Sequence, residues 1–149
     1  MKITFADHEF LLHPSGILFW PEKSMAIVSD LHLEKGSYFA QKGFFLPPYD
    51  THETLERLHK ALAVLTPKQI LILGDTFHDA KGHGRLPAKE RVLFDRLLHY
   101  APFWITGNHD GDFVPEGFTP VFGSPGLRIA EIWQSLPPSH VTITWPSRS

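Results

Sequence analysis

The chain contains no cysteine. Disulfides, thiolate metal sites and thiol nucleophiles are therefore excluded, and a metal would have to be held by histidine, aspartate, glutamate or asparagine. No apolar run approaches the roughly 20 residues that a membrane helix requires. Asp7, His8 and Glu9 come too early to leave an apolar centre for a signal peptide, so a soluble, cytoplasmic protein with no membrane partner is expected. An excess of one charge is lacking too. The formal net charge of -2 gives no footprint for non-specific nucleic-acid binding, although it leaves room for a local basic patch. No internal repeat occurs, and no strand is followed by the Gly-x-Gly-x-x-Gly of a metal-free nucleotide-binding domain. Histidine, by contrast, is abundant at ten residues, and 149 residues suit one domain with a sizeable core.

Three apolar runs end in side chains that bind metals. Met25-Ala26-Ile27-Val28-Ser29 leads into Asp30-Leu31-His32, and Ile70-Leu71-Ile72-Leu73 into Gly74-Asp75-Thr76-Phe77-His78-Asp79. Phe103-Trp104-Ile105-Thr106 leads into Gly107-Asn108-His109-Asp110. Short apolar runs bounded by turn formers read as strands buried on both faces. In an open α/β sheet the ligand crevice lies beyond the carboxyl ends of such strands. The three blocks therefore deliver their polar residues to one sheet edge.

The connections support that architecture. Asp50 to Leu65 reads as a helix, with Asp50 or Thr51 as its cap and Leu55, Leu58, Ala61, Leu62 and Leu65 facing the sheet. Ala88 to Tyr100 reads as a second helix, with Val92, Leu93, Leu97 and Leu98 inward. Strand, helix and strand at this spacing form successive βαβ crossovers and a parallel sheet. Before them, short β-like runs up to Trp20 include a hairpin turned at His13-Pro14-Ser15-Gly16. His8, His13, His52 and His59 are expected at the surface. Residues 34–49 read as a long aromatic loop that either shapes a pocket or covers the sheet edge. Residues 80–86 read as a Gly-rich loop, either mobile and solvated or offering His83 and Arg85 to an anionic substrate. Beyond Asp110, short β-like pieces such as Thr119-Pro120-Val121-Phe122 are separated by Pro and Gly.

Chemically, Asp30 and His32 sit two apart at a strand end, so both can turn toward one ion. The carboxylate of Asp75 has two oxygens and can bridge two cations, while Asn108 offers a neutral oxygen and His109 an imidazole. Nitrogen and oxygen ligands without sulfur suit Mn, Fe or Zn. Paired ions can clamp both oxygens of a phosphoryl transfer. A neighbouring histidine, oriented by a carboxylate such as Asp110, can protonate the departing oxygen.

With these blocks the sequence resembles the calcineurin-like metallophosphoesterases, whose pattern is Asp-x-His, Gly-Asp and Gly-Asn-His-Asp/Glu. It is most similar to the branch termed DNA ligase-associated metallophosphoesterases, through Ser29-Asp30-Leu31-His32-Leu33-Glu34-Lys35-Gly36, Leu46-Pro47-Pro48-Tyr49-Asp50-Thr51 and Gly74-Asp75-Thr76-Phe77-His78-Asp79. The resemblance implies an αββα sandwich and two divalent ions (Mn, Fe or Zn). It also implies hydrolysis of phosphomono- or phosphodiesters, with nucleotides or nucleic acids tied to DNA repair as the first substrate class. By position, Asp30 and His32 would bind the first ion, Asp75 would bridge, and Asn108 would bind the second. His109 would be the catalytic acid and Asp110 its orienting partner, with His78 and Asp79 lining the site.

Residues 1–130 carry the likeness; 131–149 form an atypical tail without the Gly-His-x-His that completes the family's ligand set. His140 is the one histidine after His109 and is a substitute ligand at most. A truncated or frameshifted end is the expectation, with much of the second sheet lacking, weak or absent turnover, and self-association through an uncovered sheet face. Two function classes follow: a dinuclear phosphoesterase, or an impaired domain of the same fold serving as a binding module.

Overall fold

The structure is a computed structural model and describes residues 1–5, 7–43, 50–106 and 111–121. One seven-stranded sheet runs through them in sequence order. Strands β1 (Lys2–Phe5), β2 (His8–Leu12) and β3 (Leu18–Trp20) form an antiparallel meander that continues into β4 (Met25–Val28). From β4 the sheet is parallel through β5 (Gln69–Ile72), β6 (Phe103–Trp104) and β7 (Thr119–Pro120). The switch follows from the connections. Hairpins join the first four strands, whereas helix α2 (Asp50–Leu65) separates β4 from β5, and α4 (Ala88–Asp95) lies between β5 and β6.

All four residues of β4 are buried, as are Ile70, Leu71 and Ile72 of β5. One face, with Ala26, Val28, Ile70, Ile72 and Trp104, packs on Leu55, Leu58, Ala61 and Leu62 of α2 and on Phe94 of α4. The expected leucine stripe is thus the buried one. The opposite face gathers Phe10, Trp20, Met25, Ile27, Leu71 and Ile105 into a second apolar cluster. Residues 122–149, with the atypical tail and His140, lie outside the described residues, and with them the expectation that much of a second sheet is lacking.

Several local expectations are corrected. Part of the aromatic loop is helix α1 (Lys35–Gln41). Thr51 does not cap its own helix but accepts the Glu34 backbone N–H at 2.9 Å. After Asp95 the chain tightens into a 3₁₀ turn, Arg96–Tyr100, and with the change of period Leu98 is exposed while Leu97 is buried; within α4 itself Val92 is exposed and Phe94 is buried. The four histidines expected at the surface are part-exposed and each has a partner there. His8 Nδ1 lies 2.7 Å from a Glu22 oxygen, and its ring meets Trp20 edge-on. His13 Nδ1 lies 2.7 Å from Ser15 Oγ inside the hairpin turn. His52 Nδ1 reaches Glu90 at 3.0 Å and His59 Nε2 reaches the Leu93 carbonyl at 2.6 Å, so both tie α2 to α4.

Residues 80–86 are not a free loop. Gly82–Arg85 form a short helix, α3. Gly82 is required by close approach: a Cβ there would stand 2.9 Å from that of Phe77. His83 is half-buried among Phe77, Phe94 and Phe113, with ring centroids 5.6, 5.5 and 4.8 Å away.

Candidate metal centre

The parallel register aligns Val28 with Ile72, so the segments after β4 and β5 leave the sheet side by side. They stay joined beyond it. Leu73 N–H donates to the Val28 carbonyl, Asp30 N–H to Gly74, His32 N–H to Asp75, Leu33 N–H to Thr76, and His78 N–H back to Leu33. Leu33 and Phe77, both buried, form the last bridge of this extension. Between them Asp30, His32, Glu34 and Asp75 all have left-handed backbones, with φ of 53°, 47°, 63° and 50°. Such angles are unfavourable for residues with a Cβ and persist where the surroundings fix them.

This backbone brings three side chains together. One ligand atom each from Asp30, His32 and Asp75 lies within 4.8 Å of the others, and His32 Nε2 stands 3.8 Å from Asp30 Oδ1. Bonds of about 2.0–2.2 Å to a divalent cation place its ligand atoms roughly 3 to 4 Å apart. Two carboxylates and an imidazole at this spacing fit such an ion with little closure. The sulfur-free donor set agrees with Mn, Fe or Zn.

The His78 ring extends the cluster. Its centroid is 6.0 Å from that of His32, and it contacts Tyr38 at 4.6 Å and Phe39 at 5.4 Å. Asp79, expected to line the site, has its carboxylate bonded to Arg85. Arg85 Nη1 donates to its Oδ2 at 2.9 Å while Nη2 donates to its other oxygen. These bonds hold the Asp79 carboxyl below the usual carboxylate range against the opposing effect of burial. Arg85, a candidate for contacting an anionic substrate, is instead internal to the fold. Asn108, His109 and Asp110 lie outside the described residues. Of the site's neighbours, Tyr38 and Phe39 come from the aromatic loop read as shaping a pocket or covering the sheet edge, and Arg85 from the loop read as offering it to an anionic substrate; Ser37 is not singled out by the sequence, and only the alternation Asp30-Leu31-His32-Leu33-Glu34 hints that Glu34 shares the edge.

Two groups here couple stability to pH. Burial among the aromatic rings, followed by repulsion from Arg91, lowers the His83 pKa, and Asp95 opposes this. A lowered folded pKa means that the unfolded chain takes up protons first as pH falls. Stability from His83 is therefore full above the unfolded value of about 6.5 and is lost as pH falls through its lowered folded value. Asp79 adds a second loss of the same sign, starting near the unfolded aspartate value of about 3.9. Between about pH 8 and pH 5.5 the urea midpoint of the wild type should fall relative to that of His83→Phe. Parallel curves would contradict the assignment.

Parallel strands that end in clustered carboxylate and imidazole side chains define an α/β protein with a candidate metal site at the carboxyl edge of its sheet. The chain belongs to the calcineurin-like phosphoesterase family, whose profile matches residues 24–144. That family is dinuclear and metal-dependent. The chain is also similar to the crystal structure of Pseudomonas putida nuclease MPE, with a TM-score of 0.64 and 26% sequence identity over 81% of this chain and 58% of that one. It thus spans less than two thirds of the nuclease's length. No curated protein matches the chain. Among the described residues no helix is long and apolar enough to cross a membrane.

Proposed function

We propose that the protein is a divalent-metal-dependent phosphoesterase of the cytoplasm that hydrolyses phosphodiesters derived from nucleic acid, in the manner of the DNA ligase-associated branch. The observation that carries this reading is the convergence of Asp30, His32 and Asp75 on one point. The family and the similarity to a nuclease support the reaction class and the substrate class.

A bound divalent cation supplies Lewis-acid polarisation of the phosphoryl oxygens and makes water a better nucleophile at neutral pH. The chain's own residues do the rest. By the family pattern Asp30 and His32 would hold the first ion, Asp75 would serve both, and Asn108 would serve the second. His109, with Asp110 as its partner, would protonate the departing oxygen. His78 stands next to His32 against Tyr38 and Phe39, which suits it to line the substrate side.

The test is hydrolysis of bis-p-nitrophenyl phosphate by the purified chain with Mn²⁺, and again after chelation. Turnover that disappears with chelator and returns with Mn²⁺ is expected. Tight Mn²⁺ binding without turnover on this ester or on an oligonucleotide would overturn the enzymatic reading in favour of a binding module.

A further inference from the structure

We propose that Arg85 is a positioning residue for the metal centre, acting as the strut that locks the two ligand-bearing segments together from behind. The inference rests on the metal-dependent reading above and extends it to a side chain that touches none of the three ligands. One guanidinium reaches three parts of the chain. It forms a fork on Asp79, which lies four residues after Asp75. Its Nη2 also donates to the Glu34 carbonyl at 3.4 Å, two residues after His32. Its Nε donates to Ser37 Oγ at 2.9 Å, on α1. Ser37 in turn donates to the carboxylate of Glu34, and Glu34 is buried with 6% exposure. Arg85 itself is 13% exposed, so its planar fork works away from bulk water, where its directionality matters most.

The ligand segments need such a fixture. Asp30, His32, Glu34 and Asp75 sit at left-handed φ, which isolated segments of this composition would relax. The backbone bonds between them set their separation at the sheet edge. Arg85 fixes their far ends, at Glu34 and Asp79, and through Ser37 also fixes α1, which carries the Tyr38 and Phe39 rings against His78. Partners that orient ligands without touching the metal commonly control affinity by 10- to 100-fold.

The test measures Mn²⁺ affinity by calorimetry on full-length Arg85→Lys and on the double variant Arg85→Met/Asp79→Leu, with folding checked by circular dichroism and urea midpoint. Lysine keeps the charge and loses the fork. The double variant replaces the pair by apolar side chains and should keep or raise the urea midpoint. Both are expected to bind Mn²⁺ about 10- to 100-fold more weakly while remaining folded, a change that a purely stabilising role would not produce. Either folded variant binding within about twofold of the wild type would overturn this inference alone. A wild-type chain that takes up no Mn²⁺ would overturn it together with the metal-dependent reading.

Discussion

Asp75→Asn is expected to remove Mn²⁺ binding and phosphodiester turnover together. The substitution keeps volume and shape, and asparagine tolerates the left-handed backbone at this position (φ 50°) as well as aspartate does. The hydrogen bond from His32 N–H to the residue 75 carbonyl is a backbone contact and is retained. What changes is one carboxylate charge in a cluster whose ligand atoms lie within 4.8 Å of one another. Losing a direct ligand should exceed the roughly 10- to 100-fold cost of losing an outer partner, so affinity should fall by more than about 100-fold and turnover to background. Calorimetric titration and bis-p-nitrophenyl phosphate assays on the folded variant check this. Turnover within about tenfold of wild type would remove Asp75 from the centre.

Phe77→Ala should be the most damaging single truncation for stability. Phe77 is 1% exposed and touches Phe94 at 5.4 Å, His83 at 5.6 Å, Trp104 at 6.3 Å and Phe113 at 6.5 Å between ring centroids. It joins the helix layer, the sheet and α3, and it pairs with Leu33 in the bridge beyond the sheet edge. Removing such a ring costs about 3–5 kcal/mol, which corresponds to a fall in Tm of about 6–20 °C for a chain of this size. Scanning calorimetry reads the effect directly. A fall of less than about 3 °C would mean that the cluster around Phe77 is not a core.

The sheet and the first two ligand blocks were legible because their signals are local. Runs such as Ile70-Leu71-Ile72 announce burial, and Asp30, His32 and Asp75 follow at strand ends whatever the rest of the chain does. Helix α2 was legible for the same reason, through its leucine spacing. The failures share the opposite cause. His52 and His59 are part-exposed as periodicity implies, but it gives no sign of their partners Glu90 and Leu93, which lie 38 and 34 residues away. Arg85 reads as part of a flexible Gly-rich loop, but it meets Ser37 and Glu34 from 48 and 51 residues along the chain. His83 has glycines on both sides, and its placement is set by Phe77, Phe94 and Phe113 rather than by those neighbours. An α-helical period places Leu98 inward, and the 3₁₀ turn after Asp95 interrupts that period, while Val92 lies on the exposed side of α4 itself. The third ligand block and His140 fall outside the described residues, so their roles rest on the family pattern.

The most direct measurement is anomalous diffraction at the manganese edge from crystals of the full chain grown with Mn²⁺. A peak within about 2.0–2.3 Å of an Asp30 oxygen, a His32 ring nitrogen and an Asp75 oxygen is the predicted result. A fully loaded crystal with its manganese elsewhere, and none between those three side chains, would contradict it.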